Sequence, residues 1–420
     1  MSIDFFSLIT SPYILIFAAV ASGLLFGKIK FGKEFSFGTS GALFTGLVIG
    51  WFIYNKYAKP YADAYAANPA DKQIPKEALA ILKAGVIPKE LFTIFLIIFV
   101  VAVGLLAAKD MGPVLKKYGI KFSILGILIT FTGALVCYIM AVLMPGQNPF
   151  EVTGAYTGAL TSSPGLGAAL EVTAKYGREA QAAVGVGYAV AYPFGVLAVI
   201  IGVQLFPKIF GIPVKEEIEM YRKSIREFSV KEDLMEKPQH KFDLLAFFVT
   251  CMVGYIIGSI KIYMGPLGFF SLGSTGGVLI AALSLGYIGK IGILNFRMDS
   301  KMLEVLRDVS LVFFLAIVGL KYGFSAFDTL LSGGYYLVLV SLFSSLAAMF
   351  IGFIVGRYVF KINWVLLVGA LCGGMTSTPG LGVAIDSINS DEPAAGYGAA
   401  YPAALFSMVL FSILLHSVPM

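Results

Sequence analysis

Apolar residues run along this chain in long blocks, without the strict alternation of a half-buried strand. Twelve blocks stand out, near 12–28, 38–54, 91–109, 122–143, 153–173, 183–206, 243–263, 272–289, 308–321, 335–360, 364–386 and 396–417. A helix needs about 20 predominantly apolar residues to cross a bilayer, and most of these blocks reach or approach that length. Polar residues collect between them, above all in 55–90 and 207–242. The second interruption divides the blocks six and six. Its stretch from Lys215 to Phe228, KEEIEMYRKSIREF, predicts a short solvated helix of mixed charge.

Composition sharpens that picture. Hydrophobic residues make up 58% of the 420 and charged residues 13%, against roughly 25% charged in soluble domains. Disorder, a small disulfide scaffold and an ordinary cytosolic enzyme are excluded, and a polytopic membrane protein remains. The net charge of +6 bears on loop placement more than on partners, and no basic patch interleaved with aromatics suggests nucleic acid. Cys137, Cys251 and Cys372 all sit inside apolar blocks, with no CxxC or His/Cys cluster, so neither a disulfide framework nor a metal site is expected. His240 and His416 lie far apart. The start of the chain lacks the basic region of a signal peptide, so it reads as a retained first helix beginning outside.

The two halves repeat one another. Phe35-Ser36-Phe37-Gly38-Thr39-Ser40-Gly41 matches Phe270-Ser271-Leu272-Gly273-Ser274-Thr275-Gly276, and Val103-Gly104-Leu105 matches Val318-Gly319-Leu320. The eleven residues from Thr161 to Glu171, TSSPGLGAALE, match TSTPGLGVAID from Thr376 to Asp386 with seven identities. Gly187-Tyr188 through Tyr192-Pro193 matches Gly396-Tyr397 through Tyr401-Pro402 residue for residue. Four matched blocks in the same order mark an internal duplication. The organisation is therefore a first membrane repeat at 1–206, a linker at 207–242 and a second repeat at 243–420.

Orientation has two readings. If every block crosses, the repeats run in the same sense. If 153–173 and 364–386 are re-entrant, each repeat has five transmembrane helices plus one broken segment, about ten crossings in all, and the repeats are inverted. Counting every Lys and Arg barely separates the two. Short basic loops carry most of the orientation signal, and Lys28/Lys30/Lys33 and Lys109/Lys116/Lys117/Lys121 are nearly unopposed. They favour the inverted reading, with the linker cytoplasmic, both termini outside and the chain in the inner (plasma) membrane.

The matched TSxPGLG segments carry the candidate chemistry. Pro164 and Pro379 lack a backbone N–H, and the neighbouring glycines readily take positive φ. A helix entering either motif is expected to break there. Irregular backbone at membrane depth is tolerated only where protein or a wet cavity covers it. Secondary transporters build their sites on such breaks, half-helix N-termini facing anions and freed oxygens facing cations. The candidate substrate-binding residues are thus Thr161, Ser162, Ser163, Pro164, Gly165 and Gly167, with Thr376, Ser377, Thr378, Pro379, Gly380 and Gly382. Close helix packing alone is the competing explanation. Tyr192 and Tyr401, each before a helix-kinking proline, are added as candidates for substrate contact or packing. Glu171 and Asp386 are candidates for coupling or gating, or else solvated helix ends. Gln147 and Asn148 read as ordinary turn residues, and Gly38/Gly41 and Gly273/Gly276 as positions of helix crossing or of the dimer scaffold.

Paired halves, each with a Gly-rich helix running into T-S-[ST]-P-G-L-G, resemble the aspartate:alanine exchanger family of bacterial carboxylate and amino-acid exchangers. The resemblance covers nearly the whole chain. It implies an all-α homodimer with inverted repeats, working by an elevator movement of a transport domain against a scaffold. Familiar members insert two regulatory RCK-type domains between the halves, where this chain has only 207–242, so ligand regulation and substrate identity do not carry over. More distantly, the layout is similar to sodium-coupled citrate and bile-acid carriers and to cation/proton antiporters.

The expected function is a secondary transporter, not an enzyme, exchanging a small anionic substrate such as an amino acid or dicarboxylate. No GxxxxGK[ST] loop points to ATP, no base stands near Ser163 to make it a nucleophile, and no cofactor is expected. A sodium- or proton-coupled organic-anion symporter is one alternative. A channel lined by paired re-entrant loops is another, disfavoured because neither motif supplies a charged ring or a carbonyl filter.

Overall fold

The computed structural model describes residues 5–31, 35–36, 39, 41–69, 71–144, 147–173, 176–231, 241–263, 269–331 and 334–415. Nearly all of them are helical. In a bilayer the backbone must satisfy its own hydrogen bonds, and helices do so within one segment.

The first half opens with α1 (Phe5–Ile9) and α2 (Pro12–Gly27), then a two-residue ribbon of β1 (Lys30–Phe31) and β2 (Phe35–Ser36), then α3 (Gly41–Ile53). Two short helices follow, α4 (Ala62–Ala67) and α5 (Lys76–Ala84), and then α6 (Lys89–Leu143), α7 (Pro149–Ala159), α8 (Ser163–Thr173) and α9 (Arg178–Ile209). The linker holds α10 (Val214–Lys231). The second half has α11 (Leu244–Ser259), a ribbon of β3 (Ile262–Tyr263) and β4 (Phe269–Phe270), and α12 (Gly273–Ile288). A further hairpin, β5 (Lys290–Ile291) with β6 (Leu294–Asn295), leads to α13 (Ser300–Leu331), α14 (Tyr335–Ile354), α15 (Trp364–Gly374), α16 (Thr378–Ile388) and α17 (Pro393–Leu415).

The element order thus repeats. Helix, ribbon, helix opens each half, the first ribbon pairing Lys30↔Ser36 and the second Ile262↔Phe270. Each half closes with two short helices in tandem, then a long helix containing an internal proline, Pro193 in α9 and Pro402 in α17. One expectation fails between 109 and 122. The chain stays helical across its lysines instead of turning, giving a 55-residue α6, although the stretch contains Gly112 and Pro113, which disfavour a helix interior. Five segments among the described residues are long and apolar enough to cross a bilayer: Lys89–Ala108, Val114–Leu143, Glu179–Ile209, Tyr335–Val359 and Pro393–Leu415.

The chain divides into two compact units, one of residues 1–96 and 308–335, the other of 97–307 and 336–420. Within the first, small residues let backbones touch. Gly41 lies against Gly23 and Gly27 where α2 crosses α3, and Gly319 of α13 lies against the Leu43 carbonyl of α3. The second unit repeats both helix pairings. Gly258 and Gly277 bring α11 onto α12, and Gly104 of α6, the match of Gly319, meets Ala282 of α12. The expectation that Gly41 and Gly273/Gly276 serve helix crossings holds for Gly41 and Gly273, and Gly276 faces Tyr401 and Leu405 of α17; Gly38 lies outside the described residues. Each long helix therefore packs on the second helix of the other half, the exchanged arrangement expected when close van der Waals fit holds helices together.

Candidate functional site

In the second unit both TSxPGLG motifs break a helix. α7 stops at Ala159 and α8 starts at Ser163; α15 stops at Gly374 and α16 starts at Thr378. The two breaks share one backbone design. Thr161 and Thr376 take left-handed φ of 55° and 49°. Thr161 N–H donates to the Gly158 carbonyl and Ser162 N–H reaches back to Thr157, and Thr376 and Ser377 do the same to Gly373 and Cys372. This is the helix-ending turn usually closed by glycine. The expected cause needs correcting, since neither Gly165 nor Gly380 has positive φ. Pro379 falls in the first turn of α16, where a missing N–H costs nothing. Threonine carries the break, although a left-handed L-residue costs roughly 1–2 kcal/mol.

The hydroxyls show what that strain accompanies. Thr161 Oγ1 donates to the Met375 carbonyl at 3.3 Å, and Thr376 Oγ1 donates to the Leu160 carbonyl at 2.8 Å. Met375 and Leu160 are themselves matched positions, so the tips of α7 and α15 exchange reciprocal bonds. All four residues are buried. A glycine would relieve the backbone and lose the bond.

Beyond each tip a serine starts the next helix. Ser162 Oγ accepts from Gly165 N–H at 3.1 Å, and Ser377 Oγ accepts from Gly380 N–H at 3.2 Å, the usual role of an N-cap. Gly165 then packs on Met408 of α17 and Gly380 on Val199 of α9. Each second half-helix thus lies on the last helix of the other half. Each first half-helix lies on the last helix of its own half: an added Cβ on Gly158 would stand 2.6 Å from the Tyr188 carbonyl, and one on Gly373 2.5 Å from that of Tyr397.

Other expected residues fall as follows. Thr378 Oγ1 lies 3.4 Å from the Tyr397 hydroxyl. Gly382 is buried in α16. Tyr192 and Tyr401 are buried and pair with Tyr188 and Tyr397, ring centroids 5.4 and 5.3 Å apart. Tyr397, which meets the motif's hydroxyl, escaped the sequence reading although its block was matched. Asp386 is exposed toward the end of α16, far along the helix from the break. The side chains of Ser163, Pro164, Gly167 and Glu171 lie outside the described residues.

Two further corrections concern the starts of the broken helices. Asn148 is no ordinary turn residue: its side chain caps α7 by accepting from Phe150 N–H at 3.0 Å, and its match Asn363 caps α15 through Val365 N–H at 2.9 Å. Nor is the linker helix merely solvated. Glu217 of α10 is buried, receives Arg357 through both guanidinium nitrogens at 2.7 and 3.2 Å, and accepts Trp364 N–H at 2.8 Å. Its backbone carbonyl takes Asn363 Nδ2 at 2.8 Å. Mixed charge marks a solvated face by default, but a carboxylate at a helix N-terminus answers both the orphan N–H and the dipole.

Comparison with known proteins agrees with this architecture. The aspartate–alanine exchanger family, described as "Predicted Permease Membrane Region", matches residues 15–67, 76–208 and 246–417. The chain is similar to an uncharacterized transporter of Bacteroides thetaiotaomicron, 23% identical across 97% of this chain and 98% of that protein, and to one of Bacteroides fragilis, 24% identical across 97% and 98%. An uncharacterized transporter of Desulfotalea psychrophila is 23% identical across 94% of each chain. The first alignment runs to 561 positions, more than the 420 residues here, so that relative has segments without a counterpart in this chain. No solved structure matches.

Proposed function

This chain belongs to the aspartate–alanine exchanger family of membrane permeases, and from that premise we propose that it exchanges small anionic metabolites, amino acids or dicarboxylates, across the inner membrane. The transporter class rests on the family and on the named relatives. The finer reading rests on one observation, the reciprocal Thr161–Met375 and Thr376–Leu160 bonds between two buried helix breaks. Anionic substrate sits at the capped N-termini of α8 and α16, where N–H groups and helix dipoles favour negative charge. Tips that meet at a buried crossing suit inverted, re-entrant repeats, and alternating access follows if they move with a transport domain.

Flux in proteoliposomes tests it. Labelled aspartate, alanine or a dicarboxylate should enter only against internal counter-substrate, and Pro164→Ala or Thr376→Ala should lower flux more than protein yield. Unchanged flux in both variants removes the site. Dependence on an imposed sodium or proton gradient would replace exchange by symport, and conduction far above carrier turnover would replace both by a channel. Cysteines introduced at 175–181 should label from outside if the segments are re-entrant. The particle mass in detergent checks the homodimer.

A further inference from the structure

In the first unit, lysines and aromatic rings gather where α13 meets the end of α3 and the start of α6, and the lysines differ in what answers their charge. Lys59 pairs with Asp328 of α13 at 2.7 Å and lies over the Phe324 ring. Lys321, two turns earlier on α13, is partly buried and joins no salt bridge among the described residues. Its ammonium lies instead 5.0 Å from the centroid of the Phe92 ring of α6 and 5.1 Å from that of Tyr322. Lys89 stands one turn before Phe92 on the same face of α6, a rise of about 4.5 Å. It is exposed, is likewise without a carboxylate partner among the described residues, and its charge acts on Lys321. Glu90, the acid next to it in sequence, projects about 100° away around the helix.

Depth identifies the missing counter-charge. Lys89 opens the segment Lys89–Ala108, which is apolar enough to cross a bilayer, and Phe92, beside the Lys321 ammonium, belongs to its first turn. Both charges therefore stand at the level of lipid headgroups, and exposed Ile94 follows on α6 toward the acyl chains. A partly buried ammonium held only by rings keeps a desolvation cost that an anion from outside the chain relieves. A phosphodiester suits two such donors, and basic clusters between membrane helices are where anionic headgroups bind. The internal repeat isolates the pair. The spacing that relates Thr161 to Thr376 relates Lys89 to Glu304 of α13 and Lys321 to Leu106 of α6. The counterpart of the two lysines is thus a carboxylate with an aliphatic residue, and it has no positive charge.

We propose that Lys89 and Lys321, with the Phe92 ring between them, bind the phosphate of one anionic phospholipid, and that the pseudo-symmetric position binds none. The site does not depend on what the protein exchanges, so it is tested without transport. The full chain is purified in a neutral detergent, and its thermal unfolding midpoint is measured with rising dioleoylphosphatidylglycerol, dioleoylphosphatidylcholine or inorganic phosphate at constant ionic strength. Phosphatidylglycerol should raise the wild-type midpoint as the site fills, and the other two should not. Lys321→Gln and Lys89→Gln should each need about fivefold more phosphatidylglycerol for the same rise. Lys89 is exposed, so its variant keeps the test open should Lys321→Gln fail to fold. Lys321→Arg, which retains the charge, should stay near wild type. Lys56→Gln removes another exposed lysine that lies over rings, those of Phe52 and Tyr57, and should respond as wild type. An equal rise with phosphatidylcholine, or a rise with inorganic phosphate alone, would overturn the lipid site. So would an undiminished response in both glutamine variants of the pair, or the same loss in Lys56→Gln.

Discussion

The two broken helices are close copies in sequence and differ in how their starts are held. At the first, Asn148 caps α7 and Glu151 accepts a hydrogen bond from the half-buried Tyr336. At the second, Asn363 caps α15, and the linker helix adds Glu217, Arg357 and the Trp364 N–H in one buried cluster. Every residue from Trp364 to Ile385 is buried, whereas α8 leaves Leu166, Leu170 and Val172 partly exposed. Duplication supplies two equivalent breaks. The linker, which has no second copy, fastens only the second of them among the described residues.

Overpacking tests what the breaks share and should have the largest effect. Gly369→Ala would drive a methyl into the Pro393 carbonyl, and Gly154→Ala one into that of Val184. Each should lose about 1–3 kcal/mol or more, seen as lost monodisperse protein on size-exclusion chromatography. If only one half suffers, the halves are not equivalent supports.

Removing Glu217 tests the difference. Glu217→Ala leaves Arg357, about a quarter exposed at 26%, without its partner and Trp364 N–H unmet. A cost of about 2–3 kcal/mol is expected, below the value for fully buried pairs because the guanidinium keeps some water. Glu151→Ala, at the corresponding end of α7, should cost about 1 kcal/mol. Thermal unfolding of both variants checks the order, and equal losses would erase the asymmetry.

The tips provide a finer measurement. Thr161→Ala and Thr376→Ala should each cost about 0.5–1.5 kcal/mol. Thr161→Gly and Thr376→Gly recover roughly the strain that the left-handed backbone stores, so their stability should stay near wild type while transport still falls. Stability and flux falling together in the glycine variants would mean that the hydroxyls only hold the fold.

The caps should show the smallest effect. Asn148→Ala should cost about 1 kcal/mol, and Asn363→Ala somewhat more, because it also gives up the bond to the Glu217 carbonyl. Amide hydrogen exchange at Phe150 and Val365 reads this directly, by faster opening at the second site.

Much of this architecture is written locally. Apolar blocks specify helices, the repeated order of blocks specifies paired halves, and polar hydroxyls before Pro-Gly mark where each helix stops. The same pattern misassigned the agent of the break. Proline and glycine permit a break, but which residue turns left-handed depends on what its side chain can reach, and Thr161 reaches a carbonyl 214 residues away. Asn148 reads as ordinary from sequence because a cap is recognised by the helix that follows it, and the apolar block begins only at 153. The linker's charges looked solvated because no local rule shows that Arg357 and a helix start await Glu217.

Sequence alone, then, determined the elements, their duplication and the places where two of them fail, since hydrogen-bond geometry and side-chain polarity act over a few residues. Only the tertiary structure decided that the two failures meet and that one start is clasped by the linker. Those contacts join residues hundreds of positions apart, and their register is set by close packing of whole helices.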